Sequence, residues 1–150
     1  MARQRRISEK PVVRRRAVAR GELALAPATV RAIRTRRVEK GDPVASAELA
    51  GLLAMKRTAE LIPHCHIVPL TGSRVEVQLG TASARVEAEA EAVGRTGVEM
   101  EALVGATLAL LTVWDMVKYL EKDAAGRYPR VHMDHVRVAV KEKRAVPAER

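Results

Sequence analysis

Two strictly alternating segments followed by one long apolar segment constrain this chain more than anything else in it. From Arg74 to Leu79, Val75, Val77 and Leu79 fall on one side and Arg74, Glu76 and Gln78 on the other. From Arg85 to Ala92, Val86, Ala88, Ala90 and Ala92 oppose Glu87, Glu89 and Glu91. A period of two over such lengths predicts a half-buried antiparallel hairpin with a polar outer face. The Glu row reads as a solvated face that also discourages edge pairing. Gly94-Arg95-Thr96-Gly97 then predicts a turn. After it, Leu103, Val104, Leu108, Leu110, Leu111, Val113, Trp114 and Val117 surround the axis of a helix reaching about Glu121. Such a helix should be buried on most sides.

The flanking segments complete the pattern. Val12 to Leu25 predicts one or two strands around Gly21. Pro27 opens a short helix through about Val38, with Val30 and Ile33 inward. Lys40-Gly41 interrupts, and Asp42-Pro43 starts a helix as N-cap and N1 proline. It is expected to run to about Leu61 with an apolar stripe of Val44, Leu49, Leu52, Leu53 and Met55, and to end at Pro63. Residues 122–130 form a loop, and Val136, Val138 and Val140 predict a last strand, opposed to Arg137, Ala139 and Lys141. The order strand, helices, hairpin, long helix, strand predicts an α+β fold. It is a ferredoxin-like sandwich, an antiparallel sheet with helices packed on one face. Residues 1–10 read as a basic N-terminal arm, 11–141 as a single catalytic domain and 142–150 as a C-terminal tail.

Charge sharpens the choice of partner. The net charge of +9 suggests nucleic acid until it is located. Residues 1–20 carry +7 and residues 137–150 carry +3, so the middle is close to neutral, at −1. Basic ends can bind phosphate backbones without specificity, which keeps a nucleic-acid-binding accessory protein as the alternative. Phe is absent, Tyr occurs twice and Trp once, which argues strongly against base-stacking platforms of the RRM or OB type. Asn is absent and Gln occurs twice, as a heat-adapted source or a GC-biased genome would both produce. One cysteine fits a reducing intracellular compartment, so a cytoplasmic location is expected. Charged residues and Pro11 follow the basic start, unlike a signal peptide. The longest uncharged apolar run, Ala102 to Trp114, is 13 residues, too short for a membrane span.

Four constellations can carry chemistry. Asp115 ends that uncharged run with Lys118 one turn on, so the carboxylate must be paired or its pKa rises. A structural ion pair and an acid/base couple account for it equally. Glu99 and Glu101 suit a helix's first turn, yet residues two apart point to different sides, so the dipole alone does not require both. His64-Cys65-His66 with His132 and His135 offers ligand pairs for a metal-binding structural protein. The spacing is long and the usual CxxC is missing; hydrogen bonding or contact with an anionic ligand is the commoner fate of such residues. The cationic groups are Arg14-Arg15-Arg16, Lys40, Lys56-Arg57 and Lys141. Lys40 stands before a helix N-terminus, where anions dock. No Walker A loop, dinucleotide fingerprint, GxSxG or HExxH is present.

These segments in order resemble one family. Pro11-Val-Val-Arg-Arg-Arg-Ala-Val-Ala-Arg-Gly21, Lys40-Gly-Asp42, Ala50-Gly-Leu-Leu-Ala-Met-Lys-Arg-Thr58, Leu61-Ile-Pro-His-Cys-His66, Gly94-Arg-Thr-Gly-Val-Glu-Met-Glu-Ala-Leu103 and Asp115-Met-Val-Lys118 resemble the signature blocks of cyclic pyranopterin monophosphate synthase, molybdenum-cofactor biosynthesis protein C. With Lys141 the resemblance spans residues 11–141. It implies conversion of 3′,8-cyclo-7,8-dihydroguanosine 5′-triphosphate to cyclic pyranopterin monophosphate with release of pyrophosphate. It also implies no cofactor and no metal, and a homo-hexamer built as a trimer of dimers with pockets at dimer interfaces. By motif match, Lys40, Asp115 and Lys118 fall on catalytic positions. Arg15, His64, Cys65, His66, Glu99, Met100, Glu101 and Lys141 fall on substrate-binding ones. Departures from the family pattern are Arg5-Arg6-Ile7 before Ser8, where an Asp-containing stretch is usual, Ile67 where Pro is usual, and Lys141-Glu-Lys-Arg in place of a Gly-rich tail.

Chemistry and geometry add to this. A triphosphate calls for several cations, and ring closure calls for positioned acids and bases. Asp115 and Lys118 are expected to form the proton-transfer couple, with Lys118 neutral if neighbouring cations depress its pKa. Glu101 and Asp115 lie 14 positions apart, or ~21 Å along one helix. One reacting centre cannot touch both in the same chain, so either they serve opposite ends of a long ligand or each pocket borrows one of them from a second copy, and the latter is expected.

Overall fold

The computed structural model describes residues 1–147. Its elements are β1 (Val13–Ala24), α1 (Pro27–Arg34), α2 (Pro43–Met55), α3 (Thr58–Leu61), β2 (Leu70–Leu79), β3 (Ser83–Gly94), α4 (Glu99–Glu121) and β4 (Met133–Arg144). The four strands form one antiparallel sheet in the order β2-β3-β1-β4, with α2 and α4 packed on one face. This is the expected α+β, ferredoxin-like arrangement. The last strand runs to Arg144, past the expected boundary at 141. Of the expected tail, residues 148–150 lie outside the described residues.

The helix-facing side of the sheet is built from small residues. Ala17 and Ala19 of β1 and Ala84, Ala88, Ala90 and Ala92 of β3 are all at most 2% exposed. They meet Ala102, Ala106 and Ala109 of α4, each fully buried. Short side chains on both partners let the helix sit low on the sheet. Larger residues close the layer, among them Leu23, Leu110, Val113 and Val117.

The opposite face is an ionic lattice, not a row of free carboxylates. β3 is an interior strand, so its Glu row guards no edge. Glu87 pairs with Arg20 at 2.8 Å and Arg74 at 2.6 Å, and Glu89 with Arg16 at 2.5 Å. Glu22 pairs with Arg85 at 3.0 Å. Each cation comes from a neighbouring strand or from β3 itself, which is how oppositely charged cross-strand pairs stabilise a sheet.

Helix ends depart from the sequence pattern for local reasons. α1 stops at Arg34, short of Val38, because Thr35 turns its hydroxyl onto the Arg31 carbonyl and Arg36 adopts a left-handed φ of 55°. α2 stops at Met55, because the Thr58 hydroxyl donates to the Met55 carbonyl and a separate single turn, α3, follows. Of the expected α2 stripe, Met55 is buried and Val44 and Leu52 pack against the core, but Leu49 and Leu53 do not. The helix rests on Ala47, Gly51, Ala54 and Met55, while Leu49 and Leu53 are 59% and 49% exposed. The small side of the helix comes closest to α4, so it wins the interface.

α4 is long and apolar enough to cross a membrane by length and composition, which the 13-residue run did not suggest. Its buried stripe packs on β1, β3 and α2 instead. Burial is not all-round: Leu111 and Leu120 are exposed. Its far end locks α1, where buried Glu121 accepts the Ala26 N–H at 2.8 Å.

Candidate functional site

The turn before α2 aims Lys40 at the C-terminal end of α4. Gly41 takes φ +106°, a conformation that side-chain-bearing residues rarely adopt. Asp42 then caps α2, accepting from the N–H groups of Val44 and Ala45 at 3.0 and 3.1 Å. Lys40 Nζ donates to Asp115 Oδ2 at 2.8 Å and to the Asp115 carbonyl at 3.1 Å. Lys118 Nζ reaches Asp115 Oδ1 at 2.7 Å. One carboxylate thus holds two ammonium groups, and all three side chains are open to solvent.

The electrostatics follow from that geometry. Lys118, then Lys40, holds the Asp115 carboxyl well below the usual range, at about 2. Asp115 in turn raises Lys118. The condition set for a neutral Lys118, neighbouring cations that depress its pKa, is not met in the chain as it stands, because its nearest charged neighbour is the Asp115 carboxylate.

The other candidate residues gather at the opposite end of α4. Glu99 Oε1 pairs with Lys141 Nζ at 2.5 Å. Burial pulls the Glu99 carboxyl upward. Lys141, its own backbone N–H and the field of Arg15 outweigh that and hold it below the usual range. A Cβ at Gly97 would stand 1.9 Å from Glu99 Oε2, so the bare backbone there leaves the Glu99 carboxylate room to stay on Lys141. Arg15 donates to the Gly94 carbonyl at 3.0 Å, so it braces the turn that leads into α4.

Lys141 reaches this cluster through a feature the sequence pattern hid. Val18 pairs with Val140, but Ala19 pairs with Val138, so β4 carries a bulge at Ala139. Simple alternation puts Lys141 on the face opposite Val138. The bulge returns it to the helix side, opposite Ala17, where Glu99 lies.

His64, Cys65 and His66 occupy the loop after α3. With Met100 and Glu101 they line a cavity of about 200 Å³, which Arg5 and Lys10 of the N-terminal arm also enter. Sequence reasoning missed these two arm residues, because nothing local shows where an arm folds back. An adjoining cavity of about 350 Å³ shares Cys65, Val68 and Glu101 and adds Lys56 and Arg57. Glu101 is 4% exposed. Burial raises its carboxyl above the usual range and the charge of Glu99 adds to this, with its own backbone N–H partly offsetting both. Burial, then Glu101, also raises the Cys65 thiol.

The residues thus form two clusters at the two ends of α4, not one. A concavity of about 440 Å³ lies at the Arg14–Arg16 end of β1, and of the candidate residues Arg15 lines it. His132 and His135 flank Asp134 at the start of β4, at 3.8 and 3.7 Å, and not the His64–His66 loop. Among the described residues no three His, Cys, Asp or Glu side chains are placed to hold a metal ion.

Comparison with known proteins points to one family. The sequence model of the MoaC family matches residues 5–144. A protein of Pyrococcus abyssi named probable cyclic pyranopterin monophosphate synthase is 49% identical over 137 residues, 91% of this chain and 86% of the relative. A Methanosarcina acetivorans protein of the same name is 50% identical over 137 residues, 91% of this chain and 87% of its own. A Methanothermobacter thermautotrophicus relative, 47% identical over 91% of this chain and 86% of its own, is named probable cyclic pyranopterin monophosphate synthase accessory protein.

Proposed function

The chain belongs to the MoaC family, and on that premise we propose that it makes cyclic pyranopterin monophosphate from 3′,8-cyclo-7,8-dihydroguanosine 5′-triphosphate, releasing pyrophosphate, in molybdenum cofactor biosynthesis. The reaction class is a phosphorus–oxygen lyase. The observation that carries this reading is Asp115 held between Lys40 and Lys118, in a chain about half identical to proteins named for that activity.

The chemistry sets the demands. Forming the cyclic phosphate joins a substrate hydroxyl oxygen to the α-phosphorus and breaks the bond to the leaving pyrophosphate. The hydroxyl proton is released to solvent water as the new phosphorus–oxygen bond forms, and the leaving oxygens gain charge. Lys40 and Lys118 supply protons and positive charge, and Asp115 keeps both charged and aimed. Arg15, His66 and Lys141 are suited to the phosphates, and Glu99, Glu101, Met100, His64 and Cys65 to the remaining substrate surface.

We assign the working form to a homo-oligomer, a hexamer assembled as a trimer of dimers. The two clusters sit ~21 Å apart along α4, so neither end alone offers both proton donors and the buried Glu101. A second copy bringing its own α4 end completes each pocket. Uncovered apolar side chains support this: Leu49, Leu53 and Leu111 on the helices, and Val136 and Val138 on β4, are each at least 37% exposed. The nucleic-acid alternative draws no support from the basic ends. Arg15, Arg16, Lys141 and Arg144 are strand residues engaged with Gly94, Glu89, Glu99 and Glu142.

The test is incubation of the purified protein with the cyclised GTP intermediate, assaying pyrophosphate and the cyclic pterin. Both products in equal amounts are expected; neither product from a folded, assembled protein refutes the reading.

A further inference from the structure

Lys40 stands in the connection between α1 and α2, residues 35–42. The internal bonds of this segment are short-range. The Arg37 N–H closes onto the Ala32 carbonyl at 2.9 Å, and the Gly41 N–H onto the Val38 carbonyl at 3.1 Å. Val38 is buried and anchors the middle. Past Val38 the chain reaches α4 at two successive residues. The Glu39 N–H donates to the Tyr119 hydroxyl oxygen at 2.9 Å, and Lys40 Nζ donates to Asp115. Among the described residues, the Glu39 N–H is the one main-chain group of this connection bonded to α4.

Tyr119 lies four positions after Asp115, so the two side chains stand on one face of α4, a turn apart. Backbone meets Tyr119 and the next side chain meets Asp115. A lysine ammonium hangs on a flexible four-carbon stem, and confining it costs side-chain entropy. That cost falls when the main chain at the root of the stem is already held. The Tyr119 ring packs half-buried against the core, so its hydroxyl is itself a fixed point. The bond is open to solvent, and water can replace the hydroxyl at the Glu39 N–H with little loss of stability. Water cannot supply the fixed position.

We propose that Tyr119 is a positioning residue, whose hydroxyl fixes the main chain at Glu39 so that Lys40 presents its ammonium group to Asp115 and Lys118. Its part in turnover rests on the function proposed above; its hold on Lys40 does not.

The test compares the wild type with Tyr119→Phe in the natural assembly, since Phe keeps the ring and loses only the hydroxyl. The variant should melt within about 2 °C of the wild type, as a change outside the core does. With the cyclised GTP intermediate, kcat should fall about fivefold, the scale of one net hydrogen bond, while KM stays within about twofold. A second readout needs no turnover: acetylation by sulfosuccinimidyl acetate, mapped by mass spectrometry. An ammonium held on a carboxylate gives up its proton reluctantly and reacts slowly. Lys40 should therefore be acetylated severalfold faster in Tyr119→Phe. Lys122, exposed just past the same end of α4, reports general loosening and should react alike in both proteins. An unchanged kcat, a loss carried by KM alone, unchanged Lys40 acetylation, or acetylation of Lys40 and Lys122 rising together overturns the proposal. A wild type that does not turn over, with Lys40 reactivity still set by Tyr119, refutes the function and leaves the positioning standing.

Discussion

Replacing Gly51 by Ala tests whether the approach of α2 to α4 is as tight as the structure has it. In an exposed helix the change should stabilise by about 1 kcal/mol, because Gly is a poor helix former. Here the added Cβ would stand 2.9 Å from the Gly105 carbonyl oxygen and 3.0 Å from Val75 Cγ1. Ordinary contact begins near 3.4 Å, so the gap must open by about 0.5 Å. The first obstacle is helix backbone and the second a buried side chain stiff at χ1. Overpacking of this kind costs about 1–3 kcal/mol. Set against the helix gain, the net loss is about 1 kcal/mol, or about 2–4 °C in melting temperature for a chain of this size. Gly105→Ala makes an instructive partner. Its Cβ would meet Met55 Cγ at 2.6 Å, a shorter contact, but an unbranched thioether can swing aside. Gly51→Ala should therefore melt below Gly105→Ala in calorimetry or denaturant titration. Lifting α2 also lifts the Lys40 turn that precedes it, so kcat should fall in Gly51→Ala. A Gly51→Ala protein as stable as the wild type, or more stable, would refute the close approach.

Asp115→Asn should stop turnover while moving the melting temperature by no more than a few degrees, since the residue is exposed; with its anion gone, the Lys118 pKa falls, so any residual activity should lose its alkaline limb at a lower pH. Near-normal turnover would remove Asp115 from the mechanism. Glu101 is held above its ordinary value by burial, so its stabilising contribution is complete below that value and is lost as pH rises through the raised one. Glu101→Gln should accordingly gain on the wild type in melting temperature as pH climbs from about 4.5, with the difference vanishing at lower pH. Gly97→Ala should fold normally but push the Glu99 carboxylate off Lys141; a several-fold loss in kcat/KM is expected, and unchanged kinetics would show the pair to be dispensable. Mixed oligomers of inactive Glu101→Ala and Asp115→Ala chains should regain activity, and verified hybrids with none would count against shared pockets.

The sheet, the hairpin and α4 were legible because their side-chain periods are long and unbroken. The Lys40–Asp115–Lys118 contact was half legible: the spacing of Asp115 and Lys118 along a helix can be read directly, but a contact over 75 positions needs the fold. The inward face of α2 was legible at Val44, Leu52 and Met55 but not at Leu49 and Leu53, because its apolar residues run all the way round and the close fit of Ala47, Gly51 and Ala54 decides which side turns inward. Lys141 matched the family pattern, yet its route to Glu99 depends on a bulge that alternation conceals. The docking of the arm was invisible, since its ties run from Arg95 and Gln4 to main-chain carbonyls, which carry no sequence identity.

The alanine floor beneath α4 limits how this protein can change over generations. A core of bulky side chains can drift by trading one shape for another, with neighbours compensating. Residues already trimmed to a methyl leave little to give up, and their substitutes are nearly all bigger. Variation among descendants should therefore be pushed outward, to the charged face of the sheet and the rims of the helices, while the interior lineage stays frozen.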